Sequence, residues 1–269
     1  MIQMEVLGPF TLRFKYQLVD LQPMHELMLL GFVSAGGTLS ADRLVEILWD
    51  QPTAGSAATS RGYVSRVRQK VKVLGGTGDE VISTLRLAGG RTHYRIPDGY
   101  ALDANRFQEQ IAAGCQAYRL GNLEASYARL GLTLKFWKGK PLRAAHERWW
   151  AFDYIDRLES SYKTGAITHL KAAIELGHHR EAAAETRHLI DNWPEEEEAW
   201  QLLAIAHYRS GHIDEAASTC RRIIGSLRER GHNELSFQEL QRAILARTLP
   251  WRGPLPAGFG WPDPRDCQK

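Results

Sequence analysis

Cysteine is scarce in this chain: of 269 residues only Cys115, Cys220 and Cys267 carry a thiol, and no two of them form a CxxC pair. Neither a disulfide framework nor a cysteine zinc site is indicated. Long apolar runs are missing as well, and nothing approaches the roughly 20 residues that a helix needs to cross a bilayer, so no membrane partner is expected. The amino terminus, Met1-Ile2-Gln3-Met4-Glu5, has no basic stretch leading into an apolar one, so no signal peptide is expected and the expected location is cytoplasmic. No G-x-x-x-x-G-K-[ST] segment occurs, which removes the phosphate loop of a nucleotide-hydrolysing module. Histidines are present, among them His178, His179, His207 and His212, but they lack metal-ligand spacing and pair with no nucleophile. No metal, no cofactor and no catalytic activity are expected.

The most telling absence is of negative charge. No Asp or Glu occurs between Asp50 and Asp79. Residues 56–96 carry Arg61, Arg66, Arg68, Lys70, Lys72, Arg86, Arg91 and Arg95 against Asp79 and Glu80 alone, a local charge of about +6 in a chain whose total is +3. A solvated charged face ordinarily mixes signs, whereas a one-signed patch is the electrostatic footprint of nucleic-acid binding. Within it, Val64, Val67, Val71 and Leu74 recur at helical spacing, extended backwards by Ala57 and Ser60. Arg61, Ser65, Arg68 and Lys72 share a second face, flanked by Arg66, Gln69 and Lys70. This is a helix with one apolar and one cationic side, of the kind a DNA major groove accepts.

The neighbouring residues give that helix a setting. Strand-like runs Met4 to Leu7 and Thr11 to Phe14 are broken at Gly8-Pro9. Pro23 suits the first turn of a helix through Val33, closed by Gly36-Gly37, and Ser40 can cap a second helix from Ala41 to Trp49. After the basic helix, Val81 to Leu87 and Thr92 to Ile96 flank Ala88-Gly89-Gly90-Arg91 as a hairpin. Strands, three helices and a hairpin make a winged helix-turn-helix, expected over 1–100.

From about Asp103 to Leu249 the periodicity is helical. Gly177-His-His-Arg-Glu-Ala182 and Gly211-His-Ile-Asp-Glu-Ala216 share a G-x-x-x-E-A pattern 34 residues apart, the tetratricopeptide period. Trp200, Leu203 and Ala216 fit the anchor sites of that repeat, and Gly121-Asn-Leu-Glu-Ala125 is a looser third copy, with Phe136 to Trp150 as the segment that interrupts the array. Glu195 to Glu198 reads as the first helical turn after Pro194, where carboxylates favour the dipole. The fold class is thus mainly α: an α+β winged helix, then an all-α tetratricopeptide-like domain over 103–249. The proline-rich stretch 250–269 is expected to be a disordered tail.

Tyr63-Val64-Ser65-Arg66-Val67-Arg68, preceded by Leu39-Ser40-Ala41-Asp42-Arg43-Leu44-Val45-Glu46-Ile47-Leu48-Trp49, resembles the SARP family of actinobacterial antibiotic regulatory proteins. Their first part is similar to the OmpR/PhoB-type winged helix, the effector domain of two-component systems, and their second is the bacterial transcriptional activator domain. The second part is matched by Asp103-x-x-Arg106-Phe107, Phe136-Trp137-Lys138-Gly139-Lys140-Pro141-Leu142 and Tyr208-Arg209-Ser210-Gly211. Gly231-His232-Asn233-Glu234-Leu235 departs from the family's glycine-acidic-proline segment and puts the packing of the last helix in question. No ATPase or sensor extension follows, which implies a small member.

The resemblance implies a pathway-specific activator of a secondary-metabolite gene cluster that binds direct repeats in double-stranded DNA. It further implies a side-by-side dimer on that DNA, association with the nucleoid, and recruitment of RNA polymerase through its sigma factor and the carboxy-terminal domain of its alpha subunit. On the matched helix, Arg66 is the expected base reader, because its guanidinium can donate two hydrogen bonds to guanine. Arg61, Gly62 and Ser65 face the groove, Thr59, Tyr63, Arg68 and Lys72 are expected on phosphates, and Arg86, Arg91 and His93 place the wing on the backbone or minor groove. A repressor with the same module, or a repeat scaffold binding a peptide, are the alternatives.

Overall fold

The structure, a computed structural model, describes residues 1–87 and 89–251. Ala88 at the expected hairpin tip, and the expected tail from residue 252 on, lie outside the described residues. The chain divides into two compact units, one formed by 1–109 with 135–161, the other by 110–134 with the residues from 162 on.

In the first unit β1 (Ile2–Glu5) pairs antiparallel with β2 (Thr11–Phe14), which pairs with β3 (Gln17–Leu18), while β7 (Ala101–Leu102) joins β1 in parallel. β1 ends two residues before the run of apolar residues does, for a specific reason. The Val6 and Leu7 amides donate to the Asp103 carboxylate at 2.8 and 3.2 Å rather than to a strand. Burial pushes the Asp103 carboxyl up, and these amide donors oppose that shift. α1 (Pro23–Ser34) is apolar nearly all round, with Met28, Leu29, Leu30 and Phe32 fully buried, as a central helix must be. α2 (Ala41–Leu48) follows β4 (Thr38–Ser40), and its cap is the expected one, Ser40 Oγ accepting from the Arg43 amide at 3.0 Å. α3 (Ser56–Val73) is the basic helix. β5 (Ser83–Arg86) and β6 (Thr92–Arg95) form the hairpin, and β4 pairs with β6 to complete a three-stranded sheet. These elements compose the expected winged helix.

The segment expected to interrupt the repeats packs in this first unit. The Lys138 and Leu142 amides donate to the carbonyls of Leu7 and Val6 at 2.7 and 2.9 Å, and Trp150 Nε1 donates to the Ile47 carbonyl at 3.3 Å. Arg148 pairs with Asp50 at 2.7 Å. Phe107, on the first turns of α4 (Asp103–Arg119), lies with its ring centroid 5.7 Å from that of Trp137. Two motifs about 30 residues apart in sequence, Asp103-x-x-Arg106-Phe107 and Phe136-Trp137-Lys138-Gly139-Lys140-Pro141-Leu142, therefore serve one piece of structure.

The second unit is helical. It holds the later turns of α4, α5 (Leu123–Leu134), the later turns of α6 (Phe152–Leu176), then α7 (His179–Asn192), α8 (Glu197–Arg209), α9 (Ile213–Glu229) and α10 (Leu235–Leu245). Gly121, Gly177, Gly211 and Gly231 all have positive φ, and each ends a helix. In every case the residue after the glycine donates back to the carbonyl five positions earlier: Asn122 to Ala117, His178 to Ala173, His212 to His207 and His232 to Leu227. The shared pattern is a left-handed helix stop that leaves few carbonyls unpaired. The departure at 231–235 keeps this stop, and α10 packs normally, with Phe237, Leu240 and Ile244 buried. α8 starts at Glu197 rather than at Pro194, because the Pro194 carbonyl accepts from Trp200 Nε1 at 2.9 Å and the Glu196 amide turns back to the Trp193 carbonyl.

His207, 5% exposed on α8, lies 2.9 Å from a Glu215 carboxylate oxygen and 3.2 Å from an Arg187 guanidinium nitrogen. Burial first, then Arg187, pushes its pKa below the ordinary 6.5, with Glu215 opposing. The unfolded chain thus binds a proton here that the folded chain refuses, and the stability present above pH 6.5 is lost as pH falls below it. The urea midpoint of the second unit, read from NMR signals of α8, should fall from about pH 7 down to about pH 5, and His207→Gln should flatten that fall. An unchanged slope in the variant removes His207 as a cause.

Candidate nucleic-acid interface

α3 is held by one face and free on the opposite one. Ser60, Val64, Val67 and Val71 of the expected stripe are each less than 5% exposed, but Leu74 is only half-buried and Ala57 is exposed, its place at the helix start taken by the buried Ser56. At 100° per residue the opposite side of the helix carries Gly62, Ser65, Arg66 and Gln69. Arg61, Ser65, Arg66, Gln69 and Lys72 are exposed. Thr59 is exposed too, its hydroxyl donating to the Gly55 carbonyl at 3.1 Å. A Cβ built on Gly62 meets nothing within 4 Å, so the protein itself places no steric demand on this glycine.

Two members of the expected set have work inside the fold. Arg68 Nε donates to the Ile82 carbonyl at 2.8 Å and an Arg68 terminal nitrogen donates to Thr84 Oγ1 at 2.7 Å, with Asp79 at 3.5 Å. Its guanidinium ties α3 to the first wing strand. Tyr63 is half-buried, its ring stacked on Trp49 at 6.1 Å, with the Arg66 guanidinium carbon 5.6 Å from the ring centroid. On the wing, Arg86 and Arg91 are exposed. His93 sits on β6 opposite Leu85, half-buried, with Nδ1 shielded and without a hydrogen-bond partner among the described residues. Periodicity and charge indicated the helix but gave no hint of His25 on α1, whose imidazole meets the Tyr63 ring at 5.6 Å. Read along the sequence, His25 is one more residue of a buried helix. Only its neighbours on α3 mark it out.

A winged helix with a one-signed basic helix, followed by helices in 34-residue register, defines the class of two-part transcription regulators. The chain belongs to the bacterial transcriptional activator domain family, whose profile matches residues 102–245, more than half of its length. It is 32% identical over 216 residues to "Regulatory protein AfsR" of Streptomyces griseus and 30% identical over 215 residues to "Regulatory protein AfsR" of Streptomyces coelicolor. These matches cover 78% of this chain in both cases, but 21% and 20% of the relatives, so the chain spans about a fifth of their length. Its fold is that of Mycobacterium tuberculosis EmbR, solved in complex with a low-affinity phosphopeptide. The TM-score is 0.78 at 24% identity, covering 91% of this chain and 65% of that one. The SARP resemblance read from the sequence is borne out. Among the described residues no helix is long and apolar enough to cross a membrane.

Proposed function

We propose that the chain is a sequence-specific DNA-binding transcriptional activator whose α3 enters the major groove. The observation that carries this reading is the free face of α3: its cations have no acidic neighbour in sequence from 51 to 78, while Ser60, Val64, Val67 and Val71 on the opposite face are buried. Arg66 reads a base edge, Arg61, Gly62 and Ser65 line the groove, and Thr59, Tyr63 and Lys72 hold phosphates. Arg86, Arg91 and His93 place the wing on the neighbouring backbone or minor groove. Arg68 contributes mainly by fixing the wing to α3, since its donors are already engaged there.

In this reading residues 1–100 bind DNA and 103–249 form the activating part, which recruits RNA polymerase through its sigma factor and alpha-subunit carboxy-terminal domain. The target is a pair of direct repeats near a promoter of a secondary-metabolite cluster, occupied by two protomers side by side in the cytoplasm. Footprinting across promoters beside this gene tests binding and repeat spacing together; absence of any protected repeat there overturns the reading. Purified polymerase then separates activation from repression of the same promoter.

Two variants bear on the helix. Lys72→Ala should lower the salt slope of binding by about one unit, and an unchanged slope takes Lys72 off the phosphate contacts. Gly62→Ala should raise stability by up to about 1 kcal/mol, because the new methyl group meets open space in the free protein. On DNA the same methyl group should weaken binding if the groove floor approaches here. Stability and affinity moving in opposite directions is the expected signature, and a rise in both shows that Gly62 faces no base.

A further inference from the structure

On one flank of α3 the wing is fastened by Arg68. The other flank borders a groove of about 600 Å³, lined by Gln22, Pro23 and His25 from the start of α1 and by Tyr63, Arg66 and Lys70 from α3. Three independent features of this groove favour an anion. The first is the amino-terminal end of a 12-residue helix, whose dipole attracts negative charge. The second is the pair of cations, Arg66 exposed and Lys70 half-buried, the latter 3.5 Å from the largely exposed Asp20.

The third is His25, 2% exposed. Its Nδ1 accepts from the Gln22 amide at 3.2 Å, which places the ring proton on Nε2. That Nε2 is buried and has no hydrogen-bond partner among the described residues. Burial first, and then Lys70 and Arg66, keep the imidazole neutral by pushing its pKa down. A shielded N–H donor without an acceptor is costly, and native structures rarely leave one so without a use. His25 lines the groove, so the groove is the nearest open space from which an acceptor can approach this donor.

We propose that this groove is a phosphate notch in which His25 Nε2–H, the start of α1 and Lys70 hold a backbone phosphate of the duplex that α3 reads. The proposal rests on the DNA-binding reading and extends it to α1. The notch and the wing then grip the DNA backbone on opposite flanks of one recognition helix, which fixes how deeply and at what angle the helix enters. Because a phosphate carries no base identity, the notch contributes equally on every sequence.

The test uses the full chain and a short mixed-sequence DNA duplex at low salt. His25→Asn keeps an acceptor near the Nδ1 position for the α1 cap but removes the Nε2 donor, and Lys70→Gln removes the charge. Each should weaken duplex binding by about 3- to 10-fold, the size of one charge-assisted hydrogen bond. Lys70→Gln should also lower the salt slope by about one unit, whereas His25→Asn, losing a neutral donor, should leave it nearly unchanged. In unaltered protein labelled at the imidazole nitrogens, the His25 Nε2–H resonance should move on adding duplex, a readout that does not depend on any variant folding.

If the unaltered chain shows no salt-dependent duplex binding, the DNA reading and the notch fall together. If it binds and both folded variants bind as tightly, or the Nε2–H signal stays still, the notch alone is overturned. Inorganic phosphate is the other source of the same chemistry. Movement of the signal with inorganic phosphate but not with duplex makes this a free-anion site and overturns the assignment to DNA.

Discussion

Arg66→Ala is expected to weaken binding to the target by about 1–3 kcal/mol and to relax preference at one base pair. The expectation follows from where Arg66 stands. It is exposed on the side of α3 opposite the buried stripe, and no carboxylate in the sequence from 51 to 78 competes for its guanidinium. The Tyr63 ring beside it limits the rotamers that a free arginine would sample, so less entropy is lost on docking. A planar guanidinium sets two N–H groups on guanine O6 and N7 in a fixed geometry that a rotatable ammonium lacks, so Arg66→Lys should recover charge but only part of the base preference. Binding measured on the footprinted target and on mixed-sequence duplex separates the two roles. An equal loss on both places Arg66 on the backbone, beside Lys70 in the notch, and leaves base reading to Arg61 and Ser65.

The largest effect on stability is expected from Phe107→Ala, at about 3–5 kcal/mol. Phe107 is 1% exposed and packs on Trp137, four residues after Asp103 takes the Val6 and Leu7 amides. Removing the ring opens a void between the first turns of α4 and the 135–161 segment, where backbone hydrogen bonds to Leu7 and Val6 limit collapse. A chain with two compact units need not unfold in one step, so a single global midpoint is a poor measure here. Hydrogen exchange at the Val6 and Leu7 amides reports the site directly and should accelerate sharply in the variant. Exchange within a few-fold of the unaltered protein, or a loss below about 1 kcal/mol, means that the surroundings close over the cavity and the packing account is wrong.

What was legible in the sequence has one physical source, the regular spacing of local structure. The buried stripe of α3, the Ser40 cap, the glycine stops at 177 and 211 and the hairpin around Gly89-Gly90 all follow from interactions within a few residues of one another. Periodicity also exposed the one-signed face of α3, since charge that is not neutralised locally shows directly in the order of residues. Spacing reports which face of an element is buried, however, and not what lies against it. It could not show that 136–150, an interruption of the repeats when read along the chain, bonds to Val6 and Leu7. Nor could it show that Arg68 would spend its donors on Ile82 and Thr84, or that the His25 imidazole would stand next to Tyr63.

By itself, then, the sequence determined the class of each half, the helix that carries the positive face and the family to which the chain belongs. Tertiary structure alone decided which cations on that helix are free, which one is tied to the wing, and what flanks the helix on its other side. The reason is that the Arg68 guanidinium bonds partners 14 and 16 residues away and the His25 ring meets Tyr63 on another helix, and such pairings leave no period in the chain.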